Sequence, residues 1–399
     1  MKLIRQQFTV PFEYEVVFTD GLFDCGNPLF KEQVEAQSVR HDKKLYFVLD
    51  EGMYKKHPGL WERIRNYIST VTKSCQIVSD PLVIPGGEAA KNDNLHIKKI
   101  LNAVDEYKID RHSFIVVIGG GAVIDTAGYA AAVAHRGIRL IRIPTTVLAQ
   151  NDAAIGVKNG MNAFGKKNFI GTFVPPYAVL NDFLFLKTLD DRDWRSGISE
   201  AVKVALIKDS TFFRELEESA ALLVDRDMKA MKKLIYRCAE LHLEHIANSG
   251  DPFEMGSSRP LDFGHWSAHK LEQLTEYEIR HGEAVAIGIA LDTVYSSLKG
   301  LISQINMERV LSLFKECGFH LYVPELENKI DKEHHPESIF QGLEEFREHL
   351  GGKLTIMLLQ DIGTGIEVNQ VDTKLYREAV QTLKSYEAQP VRQVSENEI

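Results

Sequence analysis

The stretch "SFIVVIGGGAVIDTAGYAAAVAHRGIRLIRIPTT", residues 113–146, decides the fold of the N-terminal half. A β-rich apolar run leads into three glycines, a segment of small residues has helical character, and a second apolar run follows. Upstream, "LYFVLD" (45–50) is typical of a buried strand, and "NLHIKKILNAVDEYKI" (94–109) has apolar residues at helical spacing. This alternation predicts an α/β domain, Rossmann-like, with a mostly parallel sheet and helices on its faces.

The character of the sequence changes after about residue 185. The segments "GISEAVKVALIKDSTFFRELEESAALL", "AMKKLIYRCAELHLEHIANS" and "GEAVAIGIALDTVYSSLKGLI" all indicate helices. We therefore expect an α/β domain over residues 1–185 and an all-helical domain over residues 186–385. The polar end of the chain, residues 386–399, is expected to be a flexible tail.

Composition narrows the possible functions. The 399 residues carry a formal net charge of −9, which argues against a nucleic-acid partner, because phosphate-backbone binding depends on clustered Lys and Arg. The four cysteines are widely spaced without a CxxC pair, which fits a reducing compartment. No stretch approaches the roughly 20 apolar residues of a spanning helix. We expect a cytoplasmic protein without a membrane partner.

The glycines Gly119, Gly120 and Gly121 follow a predicted strand and precede a predicted helix. Backbone N–H groups at such a helix start suit a pyrophosphate, although the full GxGxxG fingerprint of dinucleotide sites is absent. Asp125 is either a charge favoured by the helix dipole or a cofactor contact. Asp50, at the end of the first strand, could accept from a ribose hydroxyl, and Glu88 and Lys91 lie on a predicted loop.

The segment "NDAAIGVKNGMNAFGKKNFIG", residues 151–171, is rich in Gly and Asn and is interpreted as a cationic loop. It carries Lys158, Lys166 and Lys167 and only one acid, Asp152. Lysine supplies charge and glycine lets the backbone come close, so the loop is either an anion cradle or a solvated lysine loop.

Three histidines lie within "LDFGHWSAHKLEQLTEYEIRHGEAV", residues 261–285. His265 and His269 are four apart and share a helix face, and His281 opens the next predicted helix. With a carboxylate from elsewhere, two of them would complete a catalytic zinc site with an open position. Glu200 and Lys203 lie three apart on an apolar helix and offer such a carboxylate. Structural histidines and a buried Glu–Lys pair are the alternatives.

The order and spacing of these motifs resemble the dehydroquinate synthase superfamily, the sugar phosphate cyclases. The resemblance runs from about residue 45 to 360 and rests on the glycine cluster, "PTTVLAQNDAAIGVKNGMNAFGKKNFIG", "SEAVK", "DFGHWSAH" and "RHGEAVAIG". It implies an N-terminal NAD-binding domain, a helical metal-binding domain, an active site between them, and a homodimer. It is closer to a divergent valiolone-synthase-like branch than to a standard dehydroquinate synthase.

The resemblance also implies roles for individual residues. A divalent metal, zinc or cobalt, would be held by Glu200, His265 and His281, whereas His269 would lie near the substrate phosphate. The positions that line the substrate and phosphate pocket would be Arg136, Asp152, Lys158, Lys167, Asn168, Lys203 and His269. The positions that contact NAD would be Asp50, Glu88, Lys91, Gly119, Gly120, Gly121, Asp125, Thr145 and Thr146.

The implied reaction converts a seven-carbon ketose phosphate into a carbocycle by transient oxidation, phosphate elimination, reduction and intramolecular aldol closure. The sequence departs from dehydroquinate synthases where that family surrounds a substrate carboxylate with cations. Asp262 replaces an asparagine and would repel a carboxylate. Ser258 stands where the family has an arginine, although Arg259 is adjacent. His242 or Glu244 stands in place of a lysine, and "FRE" at 346–348 replaces a "DKK"-like segment.

These departures favour a substrate without a carboxylate, because burying an anion without a partner costs several kcal/mol. We expect sedoheptulose 7-phosphate as the substrate and a valiolone-type cyclitol as the product. The alternatives are a 3-dehydroquinate synthase acting on 3-deoxy-arabino-heptulosonate 7-phosphate, a metal-dependent alcohol or glycerol dehydrogenase, and a non-catalytic NAD-binding scaffold.

Overall fold

The computed structural model describes residues 2–36, 43–249, 251–256 and 258–389. The strands are β1 (Glu15–Thr19), β2 (Lys43–Asp50), β3 (Cys75–Ile77), β4 (Leu82–Ile84), β5 (Phe114–Gly119), β6 (Arg139–Pro144), β7 (Lys158–Ala163), β8 (Lys166–Phe173), β9 (Ala178–Asp182), β10 (Ile356–Asp361) and β11 (Thr364–Val368). The N-terminal helices are α1 (Leu29–Glu35), α2 (Glu51–Lys56), α3 (Leu60–Val71), α4 (Asn94–Glu106) and α5 (Gly121–Val133). The later helices are α6 (Asp191–Lys208), α7 (Ser210–Val224), α8 (Met228–Asn248), α9 (His265–Leu274), α10 (His281–Leu298), α11 (Gln304–Glu316), α12 (Gln341–His349) and α13 (Thr373–Glu387).

A parallel sheet forms the centre of the N-terminal half, as predicted. Within the described ranges it has seven strands in the order β1-β9-β6-β5-β2-β3, and β4 also pairs with β2. Every pairing in this sheet is parallel, and Gly119 at the end of β5 lies beside Pro144 at the end of β6. The carboxyl ends of neighbouring strands therefore meet at one edge, where open α/β sheets bind their ligands.

The side chains of β5 alternate between the two faces of the sheet, as strand geometry requires. Ile115 and Val117 pack in the cluster that contains α4 and α5, whereas Val116 and Ile118 pack in the cluster that contains α1 and α3. All six β5 residues are buried, which explains why the strand is a continuous apolar run. This burial fixes the position of the glycines that follow β5.

The second half is helical, as predicted, and its core surrounds α10, which is buried along nearly its whole length. The sequence analysis missed one feature of this half, the antiparallel hairpin β10–β11. The predicted domain boundary at residue 185 remains a prediction. The predicted tail also remains a prediction: its first two residues belong to α13, which ends at Glu387, and residues 390–399 lie outside the described residues. Of the helices described here, none is long and apolar enough to cross a membrane.

The cationic segment at residues 151–171 is not the predicted loop. Most of it forms the antiparallel hairpin β7–β8, which packs on α5. The approach is so close that a Cβ on Gly128 would lie 1.9 Å from Oδ1 of Asn159. Beneath the hairpin, the buried Arg142 guanidinium donates hydrogen bonds to the carbonyl oxygens of Ala154, Gly156 and Lys158. These contacts fix the backbone at the start of β7.

Candidate active site

A cleft of about 1070 Å³ separates the carboxyl edge of the sheet from the start of the helical half. The loops after β2, β5 and β6 line one side of it, and residues of α6, α9 and α10 line the other. Ligand sites of open α/β folds lie in such a crevice beyond the strand ends. The cleft is therefore the candidate active site.

Close backbone contacts between α6, α9 and α10 bring their side chains together beneath this cleft. A Cβ on Gly282, the second residue of α10, would lie 2.0 Å from the carbonyl oxygen of Ser196 on α6. A Cβ on Gly288 would lie 2.1 Å from the carbonyl oxygen of Gly264, which precedes α9. Gly264 has φ +75°, a left-handed conformation that favours glycine. The glycines thus set the spacing of the three helices.

Glu200, His265 and His281 meet where these helices come closest. One carboxylate oxygen of Glu200, Oε1, lies 3.7 Å from Nε2 of His265 and 3.6 Å from Nε2 of His281. Two ligands about 2.1 Å from one tetrahedral zinc lie about 3.4 Å apart, so this spacing suits a shared divalent ion. The Glu200 side chain is fully buried, and its Oε1 has no hydrogen-bond partner in the described structure. These residues therefore fit a metal ion.

The other ring nitrogens of the two histidines are held by hydrogen-bond partners. Nδ1 of His265 lies 3.1 Å from the carbonyl oxygen of Phe263, and Nδ1 of His281 lies 3.1 Å from the Glu272 carboxylate. Each Nδ1–H donates to its oxygen, which leaves Nε2 with a free lone pair facing Glu200. Metal-binding histidines in proteins are oriented in this way.

A second set of charges surrounds the other face of Glu200. Nζ of Lys203 lies 2.5 Å from Oε2 of Glu200 and 4.0 Å from the Asp152 carboxylate, which also contacts Nδ1 of His242 at 3.2 Å. Burial acts to raise the pKa of Asp152, but Lys203 and His242 outweigh burial and lower it well below its usual range. Asp152 is therefore an ionised acceptor in the cleft.

Lys167 connects the β7–β8 hairpin to α9. Its Nζ lies 2.8 and 2.9 Å from the two carboxylate oxygens of Glu272, so Glu272 contacts both Lys167 and the His281 ring. His269 lies on the same face of α9, with its ring centroid 5.9 Å from that of His281. Burial lowers the pKa of His269 well below its usual value, and Lys167 lowers it further. His269 is therefore a neutral imidazole in the free protein.

The glycine end of the cleft has the geometry of a helix N-terminus facing open space. Gly120 is the N-cap of α5, and Gly121 begins the helix, so backbone N–H groups of the first turn are unpaired within the helix. Asp50 accepts a hydrogen bond from the backbone N–H of Met53, and a Cβ on the neighbouring Gly86 would lie 2.4 Å from the Asp50 carboxylate. This end can hold an anionic group such as a pyrophosphate.

Asp125 takes part in a buried ion pair rather than being a simple helix-dipole charge. The side chain of Lys91 is buried, and its Nζ lies 2.6 Å from Asp125, 2.5 Å from the Asn168 side-chain oxygen and 3.6 Å from Glu88. Burial acts to lower the pKa of Lys91, but Asp125 and Glu88 raise it above its usual value. The lysine therefore stays charged and ties α5 to the β7–β8 hairpin.

Most of the predicted site residues meet in the cleft. Glu200 lies directly beneath the surface formed by its neighbours, and Gly119 lies behind Gly120. Arg136 is the exception: it is exposed and follows the far end of α5, about 20 Å along a 13-residue helix from Gly121. The predicted residues that line the cleft are Asp50, Glu88, Lys91, Gly120, Gly121, Asp125, Thr145, Thr146, Asp152, Lys158, Lys167, Asn168, Lys203, His265, His269 and His281.

A group of four charged residues, here called the head-group cluster, lines the cleft around the start of β7. It consists of Lys158, Glu254, Arg259 and Asp262. Nζ of Lys158 lies 2.6 Å from Glu254, and the Arg259 guanidinium lies 3.1 Å from Glu254 and 4.0 Å from Asp262. Burial acts to raise the pKa of Asp262, but Lys158 and other nearby cations lower it overall. Two cations thus face two carboxylates.

The sequence analysis missed Glu272 and Glu254 and left the position of His242 open. Glu272 had a usable signal, because it follows His269 by three residues and so shares its face of α9. Glu254 lies in "GDPFEMGSSRP", a segment without periodicity. Only the folded chain brings it to the lysine of the β7–β8 hairpin, almost one hundred residues earlier.

Comparison with known proteins assigns the family. The model described as 3-dehydroquinate synthase N-terminal matches residues 81–196, and the one described as 3-dehydroquinate synthase C-terminal matches residues 197–339. The 3-dehydroquinate synthase of Blochmanniella floridana is 34% identical over 314 residues, which are 78% of this chain and 83% of that protein. The enzyme of the same name from Geobacter sp. (strain M21) is 39% identical over 245 residues, 61% of this chain and 67% of that protein.

Solved structures give the same result. A 2-epi-5-epi-valiolone synthase from Streptomyces hygroscopicus subsp. jinggangensis 5008, with NAD+ and Zn2+ bound, has a TM-score of 0.83 and 28% identity, covering 96% of this chain and 99% of that one. The NADH-dependent butanol dehydrogenase A of Thermotoga maritima shares only the fold, with a TM-score of 0.64 and 15% identity over 94% of this chain and 98% of its own. The chain belongs to the 3-dehydroquinate synthase superfamily and is a sugar phosphate cyclase.

Proposed function

We propose that this cyclase acts on a seven-carbon ketose phosphate without a carboxylate, with sedoheptulose 7-phosphate as the favoured substrate and a valiolone-type cyclitol as the product. The charge balance of the head-group cluster carries this proposal. Lys158 and Arg259 are already paired with Glu254 and Asp262, so the described residues of this cluster offer no uncompensated positive charge for a substrate carboxylate. A substrate carboxylate placed there would be repelled by the like charges of Glu254 and Asp262.

We further propose that the enzyme uses NAD and one divalent ion, zinc or cobalt. Glu200, His265 and His281 would hold the ion, which is supported by Oε1 of Glu200, without a hydrogen-bond partner among the described residues, and by the two Nε2 atoms that face it. The start of α5 at Gly120 and Gly121 would receive the NAD pyrophosphate. When bound, these groups supply hydroxyl activation and reversible hydride transfer.

The chain's own side chains would orient the sugar and compensate its charges. Asp152 is ionised and can accept a hydrogen bond from a sugar hydroxyl, because Lys203 and His242 lower its pKa, and Lys203 also forms an ion pair with Glu200. The candidates for the phosphate are Lys167, Asn168 and His269, which line the cleft beside these groups. Holding the sugar in one geometry favours its intramolecular ring closure, because the reacting carbons are kept together.

The test compares phosphate release from sedoheptulose 7-phosphate and from 3-deoxy-arabino-heptulosonate 7-phosphate, each with NAD and zinc. We expect release from the neutral-headed ketose phosphate without net accumulation of NADH. Turnover of the carboxylated substrate alone would contradict the substrate proposal. Net NADH accumulation with simple alcohols would instead indicate a dehydrogenase.

A 3-dehydroquinate synthase is the second candidate. The curated relatives with 34% and 39% identity carry that name, and Arg259 lines the cleft next to the position where that family has an arginine. Against it stands the pairing of Arg259 with Glu254 and Asp262. The same substrate comparison separates the two functions.

A further inference from the structure

A short loop, residues 251–256, brings an acidic side chain to the head-group end of the cleft. The Asp251 carboxylate accepts hydrogen bonds from the backbone N–H groups of Met255 and Gly256, both at 2.7 Å, so the loop is held by its own side chain. Glu254, inside this turn, has φ +48° and a side chain that is 24% exposed. The turn thus fixes the direction in which Glu254 leaves the backbone.

The carboxylate of Glu254 lies between the two cations of the head-group cluster. Oε1 lies 2.6 Å from Nζ of Lys158, and Oε2 lies 3.1 Å from the guanidinium of Arg259, which also donates to the backbone oxygen of Glu254 at 2.7 Å. One carboxylate therefore engages both cations at once, with one oxygen for each. A substrate carboxylate would need this same arrangement of donors.

The neighbouring side chains offer no substitute partner. Among the described residues that line this end of the cleft, His242 contacts the Asp152 carboxylate, and His349 has a pKa lowered by burial. Asp262 adds a second negative charge beside Arg259. A substrate with an anionic head would therefore meet two fixed carboxylates and no free cation among these residues.

We propose that Glu254 is a specificity-determining residue that acts as a built-in carboxylate. Its carboxylate lies between Lys158 and Arg259, where the C1 carboxylate of an acidic substrate would otherwise bind. Glu254 thereby excludes acidic sugar phosphates in favour of sugar phosphates with a neutral head. This inference rests on the proposed function and assigns the selectivity to one side chain. Repulsion of the wrong ligand is a common source of specificity in proteins.

The test replaces Glu254 with Gln, which keeps the shape of the side chain and removes its charge. The control is Glu217→Gln, because Glu217 is 27% exposed and forms a similar ion pair with Arg309 at 2.6 Å, outside the cleft lining. For each variant, kcat/KM for phosphate release is measured with sedoheptulose 7-phosphate and with 3-deoxy-arabino-heptulosonate 7-phosphate, at saturating NAD and zinc.

We expect the ratio of kcat/KM for the acid to kcat/KM for the neutral substrate to rise about tenfold or more in Glu254→Gln and to stay unchanged in Glu217→Gln. An unchanged ratio would overturn the inference. An equal gain in kcat/KM for both substrates would also overturn it. In that case Glu254 would only keep Lys158 away from the phosphate group, which both substrates carry. Glu254→Ala, read in the same way, replaces the Gln variant if that variant does not fold.

The wild-type enzyme separates this inference from the proposed function. If the wild type turns over only the carboxylated substrate, the proposed function fails, whatever the variants do. If the wild type prefers the neutral substrate and Glu254→Gln keeps the same ratio, only the role of Glu254 fails.

Discussion

Replacing Glu272 with Gln is expected to weaken zinc binding without removing any proposed metal ligand. The Glu272 carboxylate accepts from Nδ1 of His281 at 3.1 Å and from Nζ of Lys167 at 2.8 and 2.9 Å. Glutamine has one acceptor oxygen, so it can satisfy one of these partners and must turn its own donors toward the other. The His281 ring then loses the contact that directs Nε2 toward Glu200.

Two quantities should change in this variant: the zinc affinity and the stability of the metal-free protein. Loss of a carboxylate that orients a metal-binding histidine costs about 10- to 100-fold in metal affinity, which corresponds to about 1.4–2.7 kcal/mol. Lys167 is only 5% exposed and retains Glu88 at 3.9 Å as its other carboxylate, so breaking its pair with Glu272 destabilises the metal-free protein by about 3–5 kcal/mol. For a chain of 399 residues a fall in Tm of about 4–6 °C follows.

Zinc affinity is measured by competition with a chromophoric chelator, and Tm is measured on the metal-free protein. The matched control is Glu88→Gln, which also removes a carboxylate near Lys167 but leaves the contact between His281 and Glu272 intact. The control is expected to keep wild-type zinc affinity. A Glu272→Gln variant whose zinc affinity lies within twofold of wild type would refute the reasoning, as would an equal loss in the control.

Three further perturbations test other parts of the account. Glu200→Gln is expected to abolish stoichiometric zinc, measured by elemental analysis, and one retained zinc per chain would contradict the assignment. Burial raises the pKa of Asp292 to about 7, so this residue stabilises the fold below about pH 4 and loses that contribution as the pH rises through 7. Asp292→Asn should therefore have the higher Tm at pH 8 and converge with wild type at pH 4, whereas a lower Tm at pH 8 would count against this. Gly282→Ala places a Cβ 2.0 Å from the Ser196 carbonyl oxygen and should lower stability by about 1–3 kcal/mol and also weaken zinc binding. The control Gly26→Ala has open space around its Cβ and should change neither Tm nor zinc affinity. Equal effects of the two variants would argue against the helix contact.

The parallel sheet could be predicted from sequence because its strands are buried on both faces. A continuous apolar run such as β5 is the expected signature of that burial. The hairpin β7–β8 could not be predicted from sequence, because its strands are rich in Asn, Gly and Lys. They are stabilised by packing on α5 and by the hydrogen bonds of Arg142 beneath them. Those contacts are tertiary and leave no periodic pattern in the sequence.

Some residues of the candidate site could likewise be identified from the sequence, and others could not. The set Glu200, His265 and His281 was identified through the family resemblance, since residue spacing alone left structural histidines as an alternative. Glu254 was missed because its ion pair with Lys158 joins distant segments of the chain. The role of Arg136 stays a prediction, since within this one chain the residue lies at the far end of α5 from the cleft. The homodimer remains a prediction because it depends on contacts outside one chain.

The most direct test of the account is an anomalous-difference map from crystals of the zinc-loaded enzyme, measured on both sides of the zinc absorption edge. The account predicts one strong peak among the Glu200 carboxylate, Nε2 of His265 and Nε2 of His281, about 2.0–2.2 Å from each. The ligand atoms of His269, Glu272 and His281 also lie within 4.8 Å of one another, and a peak among these three residues would contradict the central claim, as would zinc bound away from the cleft.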